Sequence, residues 1–508
     1  MSSQAKVLVD HIINNRDPQG RAGCALAFAA LYDHVGSLAA APILKTTVNV
    51  LMSLSNDPHP LVHFWSLTAL ARVINAASLT FAPFVPSTLG MLLKIYMSDA
   101  HEIEGGTLSN ANISGDLQAF PVVCRIIDAI ITILGPDVQE STRTRTLVLD
   151  LVQEFSLEED EVILVEAIKC TQHLLMFAPE HVDIPETVGR FRTYLGSSRR
   201  ELRLAAIDAL YQLVQKDALV VSRIGGDRLV EDLFSMLDGD PSIEGVRNVI
   251  ASWLAQTAIH NPSAWIDLCQ RIMLRTNATQ KVVDNSRNLD DEGQSLNAAM
   301  PADTSHQDGS SSVTMSRWRT QLFALHCLHE ICTIVDQSGR QEHFDIPYAR
   351  SRGFPVHGLL VSRVPDLIRM AFTASAAYVT EIRLEGLVVL RDIIQVYSYF
   401  LRETSPLMVT QVFSKSPDPD FPEALLLEQH QAPITAALTP AFSSDSTPEI
   451  LSSAIDACAV FVGCGVVKDV GRMGRILKQL TSALKEVDGR PECMPISEYD
   501  LTTVSRLW

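Results

Sequence analysis

The stretch from Ser197 to Gln215, SSRRELRLAAIDALYQLVQ, sets Leu202, Ala206, Ala209, Leu210 and Leu213 along one helical stripe. Ser198 and Glu201 in front of it have the spacing of a capping box. The stripe is too narrow to make a core alone and too apolar to face water, so the helix needs neighbours. Similar stripes recur along the chain: WSLTALARVI from Trp65, RNVIASWLAQTA from Arg247, QLFALHCLHEIC from Gln321, LEGLVVLRDII from Leu384 and SAIDACAVFV from Ser453. Weaker copies span Ala22–Val35, Val123–Leu134 and Val165–Leu175.

Aligned at Leu210, the equivalent positions are Leu31, Leu70, Ile130, Thr171, Leu210, Leu254, Leu328, Leu390 and Cys458. Their successive differences are 39, 60, 41, 39, 44, 74, 62 and 68 residues. The short intervals fall in or beside the range of about 40–47 residues of HEAT and armadillo units, and the long ones contain polar insertions or a degenerate extra pair. Each unit is then a helical hairpin that completes its core by stacking on the next. The expectation is an all-α fold, a HEAT/armadillo-like α-solenoid of stacked antiparallel helical hairpins. Asp57-Pro58 and Asp240-Pro241 are read as N-caps before first-turn prolines. Ser156–Glu159 and Ser446–Glu449 are read as capping boxes. No alternating β-branched run is long enough to argue for a sheet.

The polar stretches divide the array. Residues 277–316 are rich in Ser, Asp, Asn and Gln and cannot offset their ordering entropy by burial, which predicts disorder. The expected organisation is a front array at 1–276, the polar insertion at 277–316, a back array at 317–487 and a tail at 488–508. His101–Leu117 and Ser414–Pro422 are read as shorter polar insertions.

Of the 508 residues, 47% are hydrophobic and 6% aromatic, a balance that suits packed helices. The net charge of −18 argues against a nucleic-acid binder, which needs a dense basic face, and is compatible with partners carrying basic segments. The longest apolar run, near Ala457–Val467, is about half the ~20 residues of a spanning helix, and no secretory signal stands at the N-terminus. The nine cysteines form no CxxC pair, which fits reduced thiols buried in apolar helices. Without a signal peptide, the acceptor patterns at Asn112 and Asn277 are chance matches. The chain is expected to be soluble and cytosolic.

Catalytic machinery is sparse. No G-x-S-x-G, P-loop or H-E-x-x-H pattern occurs, and Gly463-Cys464-Gly465 does not extend into a dinucleotide fingerprint. The nearest approach to a metal cluster is His326, Cys327, His329 and Cys332, but a zinc site takes about four convergent ligands, usually from several segments. His59 and His63, flanking a helix start, are expected at the surface. Arg350, Arg352, Arg363 and Arg369 make a locally basic stretch, read as a solvated face that could meet an acidic peptide or lipid headgroups. The acidic run Glu158–Glu161 suits the first turn of a helix. No catalytic, cofactor-binding or metal residue is assigned, and no enzyme is expected.

Several stretches are more specific than a generic repeat: RAGCALAFAALYDHVG from Arg21, FWSLTALARVI from Phe64, RWRTQLFALHCLHEI from Arg317, VPDLIRMAF from Val364 and IRLEGLVVLRDII from Ile382. The longest is DPDFPEALLLEQHQAPITAALTPAFSSDSTPEI from Asp418, continuing into ACAVFVGCGVVKD. Together they resemble the HEAT-repeat-containing protein five family, whose fungal members are the large accessory proteins of the type-one clathrin adaptor. The resemblance runs from about Arg21 to about Leu484 and is strongest after Val364. The matching stretches lie inside longer family members, so the chain is read as a partial-length member.

The resemblance implies a cytoplasmic scaffold, peripheral at the trans-Golgi network, endosomes and endocytic vesicles. It would serve retrograde endosome-to-Golgi transport, endocytosis and protein localisation. Its implied partners are the type-one clathrin adaptor and its accessory proteins, with membrane association only through them, and it carries over no binding residue. Self-association through an uncapped array end is a further expectation. The competing class is a nuclear transport receptor or phosphatase-type HEAT scaffold, against which stands the absence of a repeated Trp/Asn ladder.

Overall fold

A computed structural model describes residues 2–101, 117–239, 243–274, 309–398, 426–443, 446–463 and scattered positions from 467 to 481. The Asp240-Pro241 cap, Asn112, Asn277, Cys464, Ser414–Pro422, the tail at 488–508 and most of the two other polar stretches lie outside the described residues. Among the described residues the regular elements are helices, with no strand. The chain forms two compact units, Met1–Lys216 and Asp217–Trp508.

The first unit comprises α1 (Ser2–Asn14), α2 (Pro18–Val35), α3 (Ser37–Leu54), α4 (Pro60–Ala77), α5 (Val85–His101), α6 (Ala119–Leu134), α7 (Thr142–Phe155), α8 (Glu161–Phe177) and α9 (Ile184–Leu195). It closes with the opening turns of α10 (Arg200–Gly239). Within it α2 packs on α4, α4 on α6 and α6 on α8, and each of these also packs against the helix before it. This stacking is what the repeated stripes require. The nine aligned positions fall on nine different helices, and all are buried except the half-buried Leu31.

Helix α6 shows the stacking at its most complete. With its following 3-10 turn it is apolar and long enough to cross a bilayer, as is the span Pro60–Met97, which the structure divides into α4, a 3-10 turn and α5. Yet α6 is largely buried between α4 and α8, and its charged residues pair across to α8. Arg125 Nε donates to Glu166 at 2.9 Å, and His173 Nδ1 lies 2.6 Å from Asp128. That hydrogen bond raises the pKa of His173 above its ordinary value.

Polar pairs of this kind repeat with the period of the fold. Arg72 pairs with Asp33, 39 residues back. Arg125 and Glu166 are 41 residues apart, and Tyr194 reaches the Ser156 carbonyl 38 residues back. In the second unit Arg271 donates to Glu231, 40 residues back. His329 pairs with Asp392, 63 residues on, where the aligned positions Leu328 and Leu390 are 62 apart. The hydrogen bonds thus measure the same period as the hydrophobic stripes.

The helix starts depart from the sequence reading in detail. Asp57 does not cap α4: His59 does, accepting from the Leu61 amide at 3.2 Å, while the buried Asp57 carboxylate pairs with Arg21 at 2.5 Å. Ser156 ends α7, and α8 is capped by Asp160, which accepts from Val162 at 2.7 Å. Ahead of α10 it is Ser197, not Ser198, whose hydroxyl accepts a backbone amide, that of Arg199 at 3.0 Å. His63 is buried, with Nδ1 2.5 Å from the Ser55 carbonyl; helix α4 turns it inward although its neighbour His59 is exposed.

Helix α10 is interrupted at Asp217 (φ −154°, ψ 82°) and at Gly225 (φ +152°), and the first break marks the boundary of the two units. Asp217 restarts the helix by accepting from the Val220 amide at 3.0 Å. The second unit continues with α11 (Glu244–Thr257), α12 (262–274), α13 (Gly309–Ser338), the short α14 (Ile346–Ser351), α15 (Val364–Ser375), α16 (Thr380–Ser398), α17 (Gln431–Leu438) and α18 (Pro448–Gly463). Here α11 packs on α13, α13 on α16 and α16 on α18, with α15 against α16 and α17 against α15.

Gly386 lets α16 approach α15 closely: a Cβ there would stand 2.7 Å from the Ala374 Cβ and 3.0 Å from the Ser375 backbone nitrogen. Gly→Ala inside a helix ordinarily gains about 1 kcal/mol. Here the backbone contact reverses the sign, and Gly386→Ala is expected to lose about 1–3 kcal/mol through overpacking. Hydrogen exchange across α15 and α16 checks this; unchanged or increased protection would contradict it.

Candidate docking clefts

Burial makes several of the thiols poor nucleophiles, pushing Cys124 and Cys170 well above the usual range and Cys458 up to about 12. His326, Cys327, His329 and Cys332 do not converge. The two histidines lie toward Glu385, at 3.0 Å from His326, and Asp392 on α16, whereas Cys327 and Cys332 are buried. Among the described residues no group of three His, Cys, Asp or Glu could hold a metal ion.

The basic stretch divides in two. Arg363 pairs with Asp267 and, at 3.1 Å, with Asp366, which also takes Arg369 at 2.6 Å. Arg350 and Arg352 are exposed and have no carboxylate partner among the described residues. Arg340, which sequence reading passed over, is in the same position. Arg352 lies over the Tyr348 ring, 5.7 Å from its centroid. Gly353, at φ +77°, turns the chain so that the Phe354 amide donates back to Ala349 at 3.0 Å. Phe354 is left 42% exposed.

This turn borders a cleft of about 460 Å³. One wall is formed by His260, Asn261, Ser263 and Ala264 at the start of α12; the other includes Arg340, Glu342, Phe354 and His357. Two contacts fix the walls to each other. Arg363 reaches across to Asp267, and His343 Nε2 lies 3.1 Å from the Ile259 carbonyl. The Leu360 amide points at His343 Nδ1 at 3.5 Å, which requires the proton on Nε2. Tyr397 donates to the His343 carbonyl at 3.4 Å.

A narrower slot of about 180 Å³ adjoins it and shares His260, Asn261 and Ala264. Trp253 and Trp265 line it, with Leu219 at 38% exposure. Both indole N–H groups are satisfied, Trp253 by Ser222 at 2.7 Å and Trp265 by Thr257 at 2.9 Å. A Cβ at Gly226 would stand 3.2 Å from the Trp253 ring, so the backbone runs directly beside the indole. The slot is apolar, lined by residues held from behind.

Stacked helical hairpins, with inter-helix bonds spanning about one repeat, define a HEAT-repeat protein. Residues 359–405 and 407–506 match the family model described as the Laa1/Sip1/HEATR5 HEAT repeat region. Protein SWEETIE of Arabidopsis thaliana is 26% identical over 499 residues, covering 95% of this chain and 21% of that protein. AP-1 accessory protein LAA1 of Saccharomyces cerevisiae is 20% identical, covering 96% of this chain and 24% of that protein. The chain therefore spans about a fifth to a quarter of the length of these curated relatives. A solved structure of Kap95p with RanGDP is similar at 10% identity and a TM-score of 0.45, covering 99% of this chain and 55% of that one.

Burial holds the pKa of His343 below its ordinary value, aided by Arg340 and opposed by its bond to Ile259 and by Glu342. A histidine depressed in the folded state costs stability as pH falls below its unfolded value of about 6.5, because the unfolded chain takes up the proton first. Acidification below that point is expected to loosen the joint between the walls. Hydrogen exchange at the Leu360 amide, corrected for intrinsic rate, should rise below about pH 6.5. His343→Gln, which does not titrate, should flatten the dependence; an unchanged profile would contradict it.

Proposed function

We propose that this chain is a non-catalytic scaffold segment assisting clathrin-adaptor-dependent vesicle traffic between the trans-Golgi network and endosomes. The observation that carries the reading is similarity to AP-1 accessory protein LAA1 along 96% of the chain. The architecture supports it, since HEAT arrays present extended surfaces on which partner segments can lie. In this reading the chain works in the cytoplasm and joins trans-Golgi, endosomal and endocytic membranes through the adaptor and its accessory proteins. The cargo routes served are retrograde endosome-to-Golgi transport, endocytosis and protein localisation. Residues 1–276 and 317–487 are its two working arrays, with 277–316 as the linking polar segment.

Affinity capture of the tagged chain from cytosol of its own organism should recover subunits of the type-one clathrin adaptor. Recovery of importin cargoes or phosphatase subunits in their place would overturn the reading.

A further inference from the structure

The geometry points to the paired clefts of the second unit as a docking site for a linear acidic peptide carrying one bulky apolar side chain. The inference rests on the scaffold reading and adds the place and chemistry of one contact. Charge carries the first half of the argument. The chain has a net charge of −18, yet residues 339–363 contain Arg340, Arg350, Arg352 and Arg363 against Glu342 and Asp345. Asp267 neutralises Arg363, while the other three arginines are exposed and without carboxylate partners among the described residues. Arg340 itself lines the cleft, together with Glu342, the Arg363-paired Asp267, His260 and His357, while Arg350 and Arg352 stand on the same segment next to Phe354, which also lines it. A negative chain entering the cleft would meet Arg340 at its wall and Arg350 and Arg352 beside it.

The slot carries the second half. It shares three wall residues with the cleft, and at about 180 Å³, with Trp253 and Trp265 in its lining, it has room for a single large side chain. An aromatic or aliphatic anchor in such a pocket, with charged contacts around it, is how short peptides combine affinity with register. The same cations could attract anionic lipid headgroups. A bilayer surface would engage a flat or convex patch, whereas here Arg340 lines a recess that shares wall residues with a second, tryptophan-lined slot. The occupant favoured is therefore a peptide.

The test uses the whole chain and a fluorescein-labelled synthetic peptide of Asp and Glu residues around a single Trp, read by fluorescence anisotropy. Binding should weaken with added salt and when the Trp is replaced by Ala. It should weaken at least about tenfold in the double variant Arg340→Glu/Arg352→Glu and in Ala264→Glu, which sets a carboxylate on the shared wall. Arg143→Glu, an exposed arginine of the first unit, should bind as the wild type does. Far-ultraviolet circular dichroism confirms that each variant is folded. The proposal is overturned if the wild type does not bind the peptide, or if the double variant binds it equally well. Binding to phosphatidylserine vesicles in place of the peptide overturns it too, as does a dimer, seen by sedimentation, that excludes the peptide. Adaptor capture by the wild-type chain is scored separately, so the trafficking reading can fail while the peptide result stands, and the reverse.

Discussion

The constraint behind this structure is that one helical stripe cannot be buried by its own hairpin. Leu70, Ile130, Leu210, Leu328 and Leu390 are fully buried, and the inter-repeat packing of α4 on α6, or α13 on α16, contributes to that burial. Each fully buried side chain of this size is worth about 1.5–3 kcal/mol, so stability accumulates from neighbour to neighbour. Helix α6 is the extreme case: judged alone it could pass for a membrane span, and inside the stack it is a core helix with its Arg125 and Asp128 answered by α8.

The parts of the fold that were readable from sequence are those set by local periodicity. The nine aligned positions landed on nine helices because an apolar residue at helical spacing carries its own burial requirement. Helix starts were less readable. Asp57 has the identity and spacing of a cap, but one of its oxygens takes Arg21 of α2 and the other accepts the His59 amide at 2.9 Å, so the helix starts two residues later than the Asp-Pro pair suggests. His63 went inward for a similar reason, since the Ser55 carbonyl in the preceding loop accepts a hydrogen bond from its Nδ1–H.

The candidate clefts were legible only in fragments. The basic stretch was visible, but its division into Arg363 and Arg369, which are paired, and Arg350 and Arg352, which have no carboxylate partner among the described residues, depends partly on Asp267, far away in sequence. The Trp253–Trp265 slot draws on α10, α11 and α12 together, so two tryptophans in ordinary apolar helices announced nothing. Arg340 and His343 were missed outright. The Gly- and Pro-containing irregular run that follows them, between α13 and α15, was the available signal that the chain leaves the repeat pattern there.

A stack of near-equivalent hairpins has a hazard of its own, because any apolar stripe can satisfy any other. Hydrophobic burial is indifferent to which neighbour supplies it, and repeat proteins accordingly misassemble by pairing wrong copies. The polar pairs spaced by about one repeat remove that indifference. Arg72 finds Asp33, Arg125 finds Glu166 and His173 finds Asp128, each pair using a different combination of side chains. A hairpin docked on the wrong copy would strand these groups against apolar surface, at a cost that rises with their burial. The ladder thus works as a set of addresses, giving each hairpin one correct place in a row of look-alikes.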